Sequence, residues 1–415
     1  MMGHQPDTQQ KLFYTCFNLE KRVRKDHILR KVAQHIDFDF IYKQVEDKYG
    51  TNGNVSVPPP VILKMMLLLT FYNVRSEREL MQTIPERLDR QSLKRYLNKS
   101  YRELERRLEQ PQDGEPKMGK VNRKHVSTTD PDASVVRMGP GRSKLRYKIH
   151  RAVDEKKEVI PATEVTTGEV NEAHRLTSLI DQHQHCTQKA VKTAVADRKY
   201  GTIDNYLACC DRKIAPHFES FDKGHRGSGR RKDIFEPSDF VYNPDEDLFV
   251  CPAGELLERR KFRKKRNHFE YALPAKVCNQ CQLKEQCTRS KQGRTIKRHI
   301  RQDELDRMLS QSESRQAKRD IAKRQHLMER SFARSKRYGY KRARWRRLWR
   351  VQIQEYLTAA MQNIIVLVSH IKEQDRGAQA KRSIPRPKRP LLCNDWFVFK
   401  SLLSRSVKML AMATG

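Results

Sequence analysis

No stretch of this 415-residue sequence is both long enough and apolar enough to cross a bilayer. The longest apolar run, Val61 to Phe71, is interrupted by Lys64 and falls short of the roughly 20 residues a spanning helix needs. No charged-then-apolar leader opens the chain, so neither secretion nor a membrane anchor is expected, and a soluble cytoplasmic protein is. Acidic residues are scarce as well: 50 Asp and Glu stand against 85 Lys and Arg, a formal net charge of +35. Solubility alone is served by a net charge of about 2–8 on a small domain. An excess this large points to a polyanionic partner, because each phosphate a cation neutralises releases a counterion. Ribosome-associated or merely basic proteins share that excess. The apolar fraction, 37%, is low but sufficient for a modest core. No internal repeat is present. An aromatic-basic motif for single strands is missing too, which weakens the reading of a zinc-bearing RNA-binding protein.

What is present falls into blocks, and the length suits two or three domains of about 100–200 residues. Residues 1–110 read as a helical domain. Pro58, Pro59 and Pro60 launch an apolar helix from Val61 to Tyr72. Ser76 caps a short helix, Glu77 to Ile84, and a polar helix runs from Ser92 to Glu109. Gln110 to Gly119 is a linker by composition. Within 121–221, Tyr147–Val153 and Val159–Val165 alternate around Asp154 to Lys157 and read as a β-hairpin. His174 to His183 reads as a helix, Ala190 to Ala196 as a strand ending at Asp197, and Tyr206 to Asp211 as a helix. This order predicts an α/β sheet with helical flanks. Residues 222–300 form a basic, cysteine-rich insertion that reads as a small zinc ribbon, and 301–372 a long helical stretch, arginine-rich first and apolar later. Residues 373–415, basic and proline-rich, read as a disordered tail.

Three groups of residues carry chemistry. Asp197 closes an apolar strand, where open α/β sheets build sites and a carboxylate can take Mg²⁺; an isolated Asp there is also a common helix cap. Glu329 sits on a cationic helix among Arg330, Arg334, Lys336 and Arg337, as a metal ligand or as an intrahelical ion-pair partner. Downstream, Lys341, Arg342, Arg344, Arg346 and Arg347 surround Trp345 and Trp349 and supply further phosphate contacts. Cys251, Cys278, Cys281 and Cys287 read C-x26-C-x2-C-x5-C, a spacing that suits a tetrahedral zinc site or four reduced thiols. Cys16, Cys186, Cys209, Cys210 and Cys393 have no such spacing.

Taken together, "AVADRKYGT" and "MERSFARSKRYGYKRARWRR" resemble the second Asp and the final Glu of bacterial insertion-sequence DDE transposases of the type with a cysteine-rich insertion. "PPPVILKMMLLLTFYNVRSERELMQTIPERLD", "HVSTTDPDASVV", "YKIHRAVDEK" and "CPAGELLERR…VCNQC" fit the same family, and the likeness spans residues 11–370. It implies a ribonuclease-H-like catalytic domain, three carboxylates around two Mg²⁺ (or Mn²⁺) ions, and cleavage and strand transfer at the element's ends. The implied partner is double-stranded DNA carrying terminal inverted repeats, bound by a homodimer in the bacterial nucleoid. Asp197 would be the second carboxylate and Glu329 the third. The first is not evident: Asp89-Arg90 leads directly into Gln91-Ser92-Leu93, with no apolar strand ending in Asp between them. In the family it resembles, a segment carrying the first catalytic strand and its Asp lies there, so the resemblance implies an internal deletion that leaves the catalytic fold incomplete. Asp130 and Asp132 are the nearest acidic residues, Asp132 serving as a weak substitute, and both suit turn positions around Pro131. Two readings follow: an active transposase, or a defective one that only binds DNA.

Overall fold

A computed structural model describes residues 24–46, 57–74, 120–137, 142–220 and 234–380. In chain order the elements are α1 (Ile28–His35), α2 (Phe40–Val45), α3 (Pro59–Phe71), α4 (Lys120–Lys124), β1 (Ser134–Val136), β2 (Lys144–Ala152), β3 (Ala162–Thr167) and α5 (Leu176–Thr187). Then come β4 (Thr193–Val195), α6 (Ile203–Asp211), β5 (Ala215–His217), β6 (Val241–Asn243), β7 (Leu248–Val250), β8 (Leu256–Arg263) and β9 (His268–Ala272). The last are α7 (Ala275–Gln280), α8 (Lys284–Cys287), β10 (Thr295–His299), α9 (Gln302–Ser312), α10 (Arg315–Arg337) and α11 (Leu348–Ala380). The expected helices at 77–84 and 92–109, the linker at 110–119 and the tail beyond 380 lie outside the described residues. The chain divides into two compact units, 1–191 with 325–415, and 192–324. These boundaries differ from the domain limits expected from composition.

In the first unit α3 begins as the three prolines dictate, with Pro59 in the first turn, where a missing N–H costs nothing. Its Leu63 and Leu67 join Ile36, Phe38 and Ile41 from the preceding segment against Ile353, Leu357, Met361 and Ile364 of α11. The expected hairpin is present with its strands longer or shifted: β2 and β3 are antiparallel, from Tyr147 opposite Thr167 to Ala152 opposite Ala162. β1 adds to the free edge of β2. The chain also needs a glycine at 339: its φ is +77°, and a Cβ there would fall 2.0 Å from Asn73 Oδ1.

Residues 351–364 of α11 are buried on every side, yet they carry Gln352, Gln354, Glu355, Thr358, Gln362 and Asn363. A polar group inside a protein must find partners. Gln352 Oε1 accepts the Val165 N–H at 2.6 Å, and Asn363 both accepts from Ile160 N at 2.8 Å and donates to Ile160 O at 3.0 Å. The helix thus completes backbone bonds that β3 and the loop before it leave open. At the centre, Arg151 of β2 meets Glu355 in a two-pronged pair, with both side chains fully buried. Thr163 donates to Glu355 Oε1 at 2.6 Å, while Arg151 Nη1 reaches Ser335 Oγ at 2.7 Å and Ser331 Oγ at 3.2 Å. The rings of Phe332 and Tyr340 lie 5.0 and 5.4 Å from the guanidinium carbon. Nearby, burial pushes His150 down to about 4, and its Nε2 sits 2.8 Å from Thr166 Oγ1.

The second unit holds two sheets. β4, α6 and β5 form a parallel strand pair with a helical crossover, Thr193 lying opposite Ala215 and Val195 opposite His217. Tyr206 and Phe218 fill its core, and the Tyr206 hydroxyl donates to Phe218 O at 2.6 Å. Within the expected cysteine-rich insertion at 222–300, the described residues 234–300 contain a five-stranded antiparallel sheet in the order β10-β9-β8-β7-β6. Phe240, Phe249, Leu257, Tyr271 and Ile296 form its core. The described residues mix helix and strand, consistent with the α/β class expected, and the β2–β3 hairpin and the β4–β5 pair belong to separate sheets. Among the described residues β4 is three residues long and has β5 as its one strand neighbour. The helices expected over 301–372 are present as α9, α10 and α11.

Because the Arg151–Glu355 pair is completely desolvated, removing one partner should be worse than removing both. Glu355→Ala is expected to lower stability in urea unfolding by about 3–5 kcal/mol, the cost of an uncompensated buried charge. The double variant Arg151→Met with Glu355→Leu is expected to lose less. A double variant less stable than the single one would show that the unpaired guanidinium is not the dominant cost.

Candidate functional site

Asp197 follows β4 directly, at the carboxyl end of a strand in a parallel pair. Its Oδ1 accepts the Lys199 N–H at 2.9 Å and caps the single turn Arg198–Tyr200. Of the two sequence readings of this residue, the cap is the one with a hydrogen bond behind it. At the same end of the neighbouring strand, His217 directs Nδ1 to Asp320 Oδ2 at 2.7 Å, with both side chains largely buried. Nothing in "IAPHFES" marks this couple. Its partner is 103 residues away and becomes visible only when α10 is placed.

Glu329 lies exposed on α10 in the other unit and accepts from Gln325 Nε2 at 3.1 Å, an intrahelical contact. Asp130 and Asp132 do structural work that their sequence context does not reveal. Asp132 Oδ2 accepts the Leu348 N–H at 2.9 Å, capping the start of α11, and its other oxygen lies 3.8 Å from Arg347. Asp130 Oδ1 accepts from the Tyr147 hydroxyl at 2.7 Å and from Arg347 N at 3.1 Å. Burial, with that hydrogen bond to Asp130 adding to it, pushes the Tyr147 phenol up. Asp197 belongs to one compact unit, and Glu329 and Asp132 to the other. Among the described residues no three His, Cys, Asp or Glu side chains are gathered as a metal-binding group. Each candidate carboxylate is engaged by neighbours in its own unit.

Two family models match this chain: Transposase domain (DUF772) over residues 17–108, and Transposase DDE domain over residues 250–368. The chain belongs to the insertion-sequence DDE transposases. No curated protein and no solved structure matches it significantly. The second matched span of this transposase holds Glu329 and all four clustered cysteines, while Asp197 lies between the two spans. No helix among the described residues is long and apolar enough to cross a membrane.

Cys251, Cys278, Cys281 and Cys287 of the transposase all line one cavity of about 30 Å³, together with Phe235, Leu257 and Val277. Burial pushes the Cys287 thiol up, and Cys278, Cys251 and Cys281 add to the shift against Arg294. A tight turn holds the first cysteine, with the Gly254 N–H bonded to Cys251 O at 2.8 Å. On the opposite side Gly293, at φ +83°, approaches so closely that a Cβ would lie 2.9 Å from Cys278 Sγ. The thiols surround the cavity without converging into a ready ligand set.

The nine cations expected to contact DNA separate into two groups. Arg330 and Arg334 each lie 2.7 Å from the Glu158 carboxylate. Arg344 donates to Val74 O and to Asn73 Oδ1, and Arg347 is engaged with Asp130 and Asp132. Lys336, Arg337, Lys341, Arg342 and Arg346 are exposed. Trp345 and Trp349, which stand among these cations in sequence, pack against the helical core. Replacing the five exposed cations by Ala is expected to weaken duplex DNA binding. It should also flatten the dependence on log[salt] by about 0.9 for each phosphate no longer neutralised. Arg344→Ala and Arg347→Ala should chiefly lower the melting temperature. Salt titrations in which Arg344→Ala flattens the slope as much as the five-residue variant would refute this division.

Proposed function

We propose that this transposase binds duplex DNA, the terminal inverted repeats of its element included, without cutting it. The observation that carries this reading is the state of the three candidate carboxylates. Asp132 caps α11, Asp197 caps its own turn and Glu329 is bonded within its helix. Two-metal phosphoryl transfer asks for carboxylates that converge on both ions. The direct run from Asp89-Arg90 into Gln91-Ser92-Leu93 supports the loss of a first strand with its Asp.

A second reading, Mg²⁺- or Mn²⁺-dependent cleavage and strand transfer, is favoured by one feature: Asp197 stands at the carboxyl end of a parallel strand. Cleavage assays on DNA carrying the element's own ends distinguish the two. No product is expected from the chain as given, with binding to those ends retained. Inserting the missing segment from an intact relative is expected to restore cutting, and Asp197→Ala or Glu329→Ala to abolish it again. Cutting by the unaltered chain that disappears in Asp132→Ala would overturn the binding-only reading. A homodimer on DNA in the bacterial nucleoid agrees with this role.

The cysteine cavity supports a structural zinc ion. Its volume suits a single ion or water and no larger ligand, and four thiolates make a complete tetrahedral set. About one equivalent of zinc is expected by elemental analysis after mild purification. Cys281→Ser should lower both the metal content and the melting temperature, because a structural ion contributes its binding energy to folding. A zinc-free protein whose melting is indifferent to Cys281→Ser would exclude the site.

A further inference from the structure

A second concentration of charge lies in the other compact unit, on the β8–β9 hairpin. From Arg259 to Arg266 seven of eight residues are Lys or Arg, and all eight are exposed. The whole hairpin, 258–272, contains only two carboxylates, Glu258 and Glu270. Local geometry concentrates the charge further. β7 pairs only with Leu256 and Leu257, so the rest of β8 is an open edge with β9 as its sole described strand neighbour. A bulge between Arg259 and Lys261 twists that edge. The chain then reverses through the turn Lys264–Arg266, closed by Asn267 at φ +47°, which leaves three consecutive cations at the tip.

Some of these cations are used by the sheet itself. Arg259 lies 2.9 Å from Asp247 and stacks on Phe269, Arg260 Nε donates to Ala272 O at 3.1 Å, and Arg263 pairs with Glu270 at 3.1 Å. Lys261, Lys264, Lys265 and Arg266 are different: among the described residues none of their side chains has a hydrogen-bond or ion-pair partner. They add mutual repulsion that the fold does not require. We propose that this hairpin is a second DNA-contacting element of the transposase, tracking the phosphate backbone of duplex DNA through these four side chains. The assignment rests on the DNA-binding reading above. The partner is set by charge complementarity, and phosphate contacts of this kind position a protein without reading sequence.

Charged edge strands also serve to keep sheets from pairing with one another, and the experiment must separate that role from binding. Full-length protein is titrated with a random-sequence duplex at several salt concentrations. Lys261, Lys264, Lys265 and Arg266→Gln together are expected to reduce the slope of log K against log[salt] by about 3–4, at about 0.9 for each phosphate left without its cation. A control removing the same charge from exposed Lys124, Lys144, Lys156 and Lys189 should leave the slope nearly unchanged. Lys265→Glu alone, a milder change, is expected to lower affinity without altering the melting temperature. Equal slopes for the hairpin and control variants, or an unaffected Lys265→Glu, would overturn the proposal. Failure of the unaltered chain to bind any duplex would instead overturn the DNA-binding reading itself.

Discussion

The first compact unit depends on one buried ion pair. Arg151 brings a positive charge from β2 into a region without solvent, and Glu355 brings the compensating negative charge from α11. Neither is tolerable alone, since an isolated ion in such a medium costs several kcal/mol even after relaxation. The pair is satisfied because each remaining polar position is filled: Thr163 serves the carboxylate, and Ser331 and Ser335 serve the guanidinium. Those partners come from β2, β3, α10 and α11. Four elements remote in sequence are thus fixed by one geometric requirement. Apolar packing in the same unit is adaptable, whereas this arrangement admits essentially one register of helix against strand.

The same logic sorts the cations. A net charge of +35 does not state which residues meet a partner and which hold the fold. Arg330 and Arg334 clamp α10 onto the β2–β3 turn through Glu158, and Arg344 secures the end of α3. Arginine suits these places because its planar fork reaches two acceptors at once. Exposed lysines and arginines past Ser335, and those at the hairpin tip, answer no such demand inside the chain. Their repulsion is a standing cost that the proposed DNA contacts would relieve.

What was legible in the sequence had short-range causes. Three prolines announced α3, alternation announced the β2–β3 hairpin, and the apolar end of Ala190 to Ala196 placed Asp197 after a strand. The five-stranded sheet was not legible, because β8 reads Leu-Leu-Glu-Arg-Arg-Lys-Phe-Arg and buries only Leu257, so it shows no apolar alternation. Long-range polar contacts were equally hidden. Arg151 finds Glu355 at a separation of 204 residues, and Asp132 finds Leu348 at 216. An aspartate before a helix 216 residues downstream looks in sequence like any turn residue. Cys251, Cys278, Cys281 and Cys287 line one cavity, to which a Cys-x2-Cys segment and a tight Cys-Pro-Ala-Gly turn contribute locally.

The two activities of such a protein decay differently. Cleavage requires several carboxylates in one place at one moment, so loss of a single strand removes nearly all of it. Binding to DNA is a sum of many weak phosphate contacts, each contributing its own increment and each dispensable. Here the cations that would make them are distributed over both compact units, on the exposed side chains of 336–346 and on the β8–β9 hairpin. The internal skeleton survives by a third route. Arg151–Glu355, Gln352–Val165 and Asn363–Ile160 lie wholly outside the candidate carboxylates, so the fold has no need of an intact catalytic centre. On the proposed reading, such a chain would lose its chemistry while keeping both its shape and its hold on DNA.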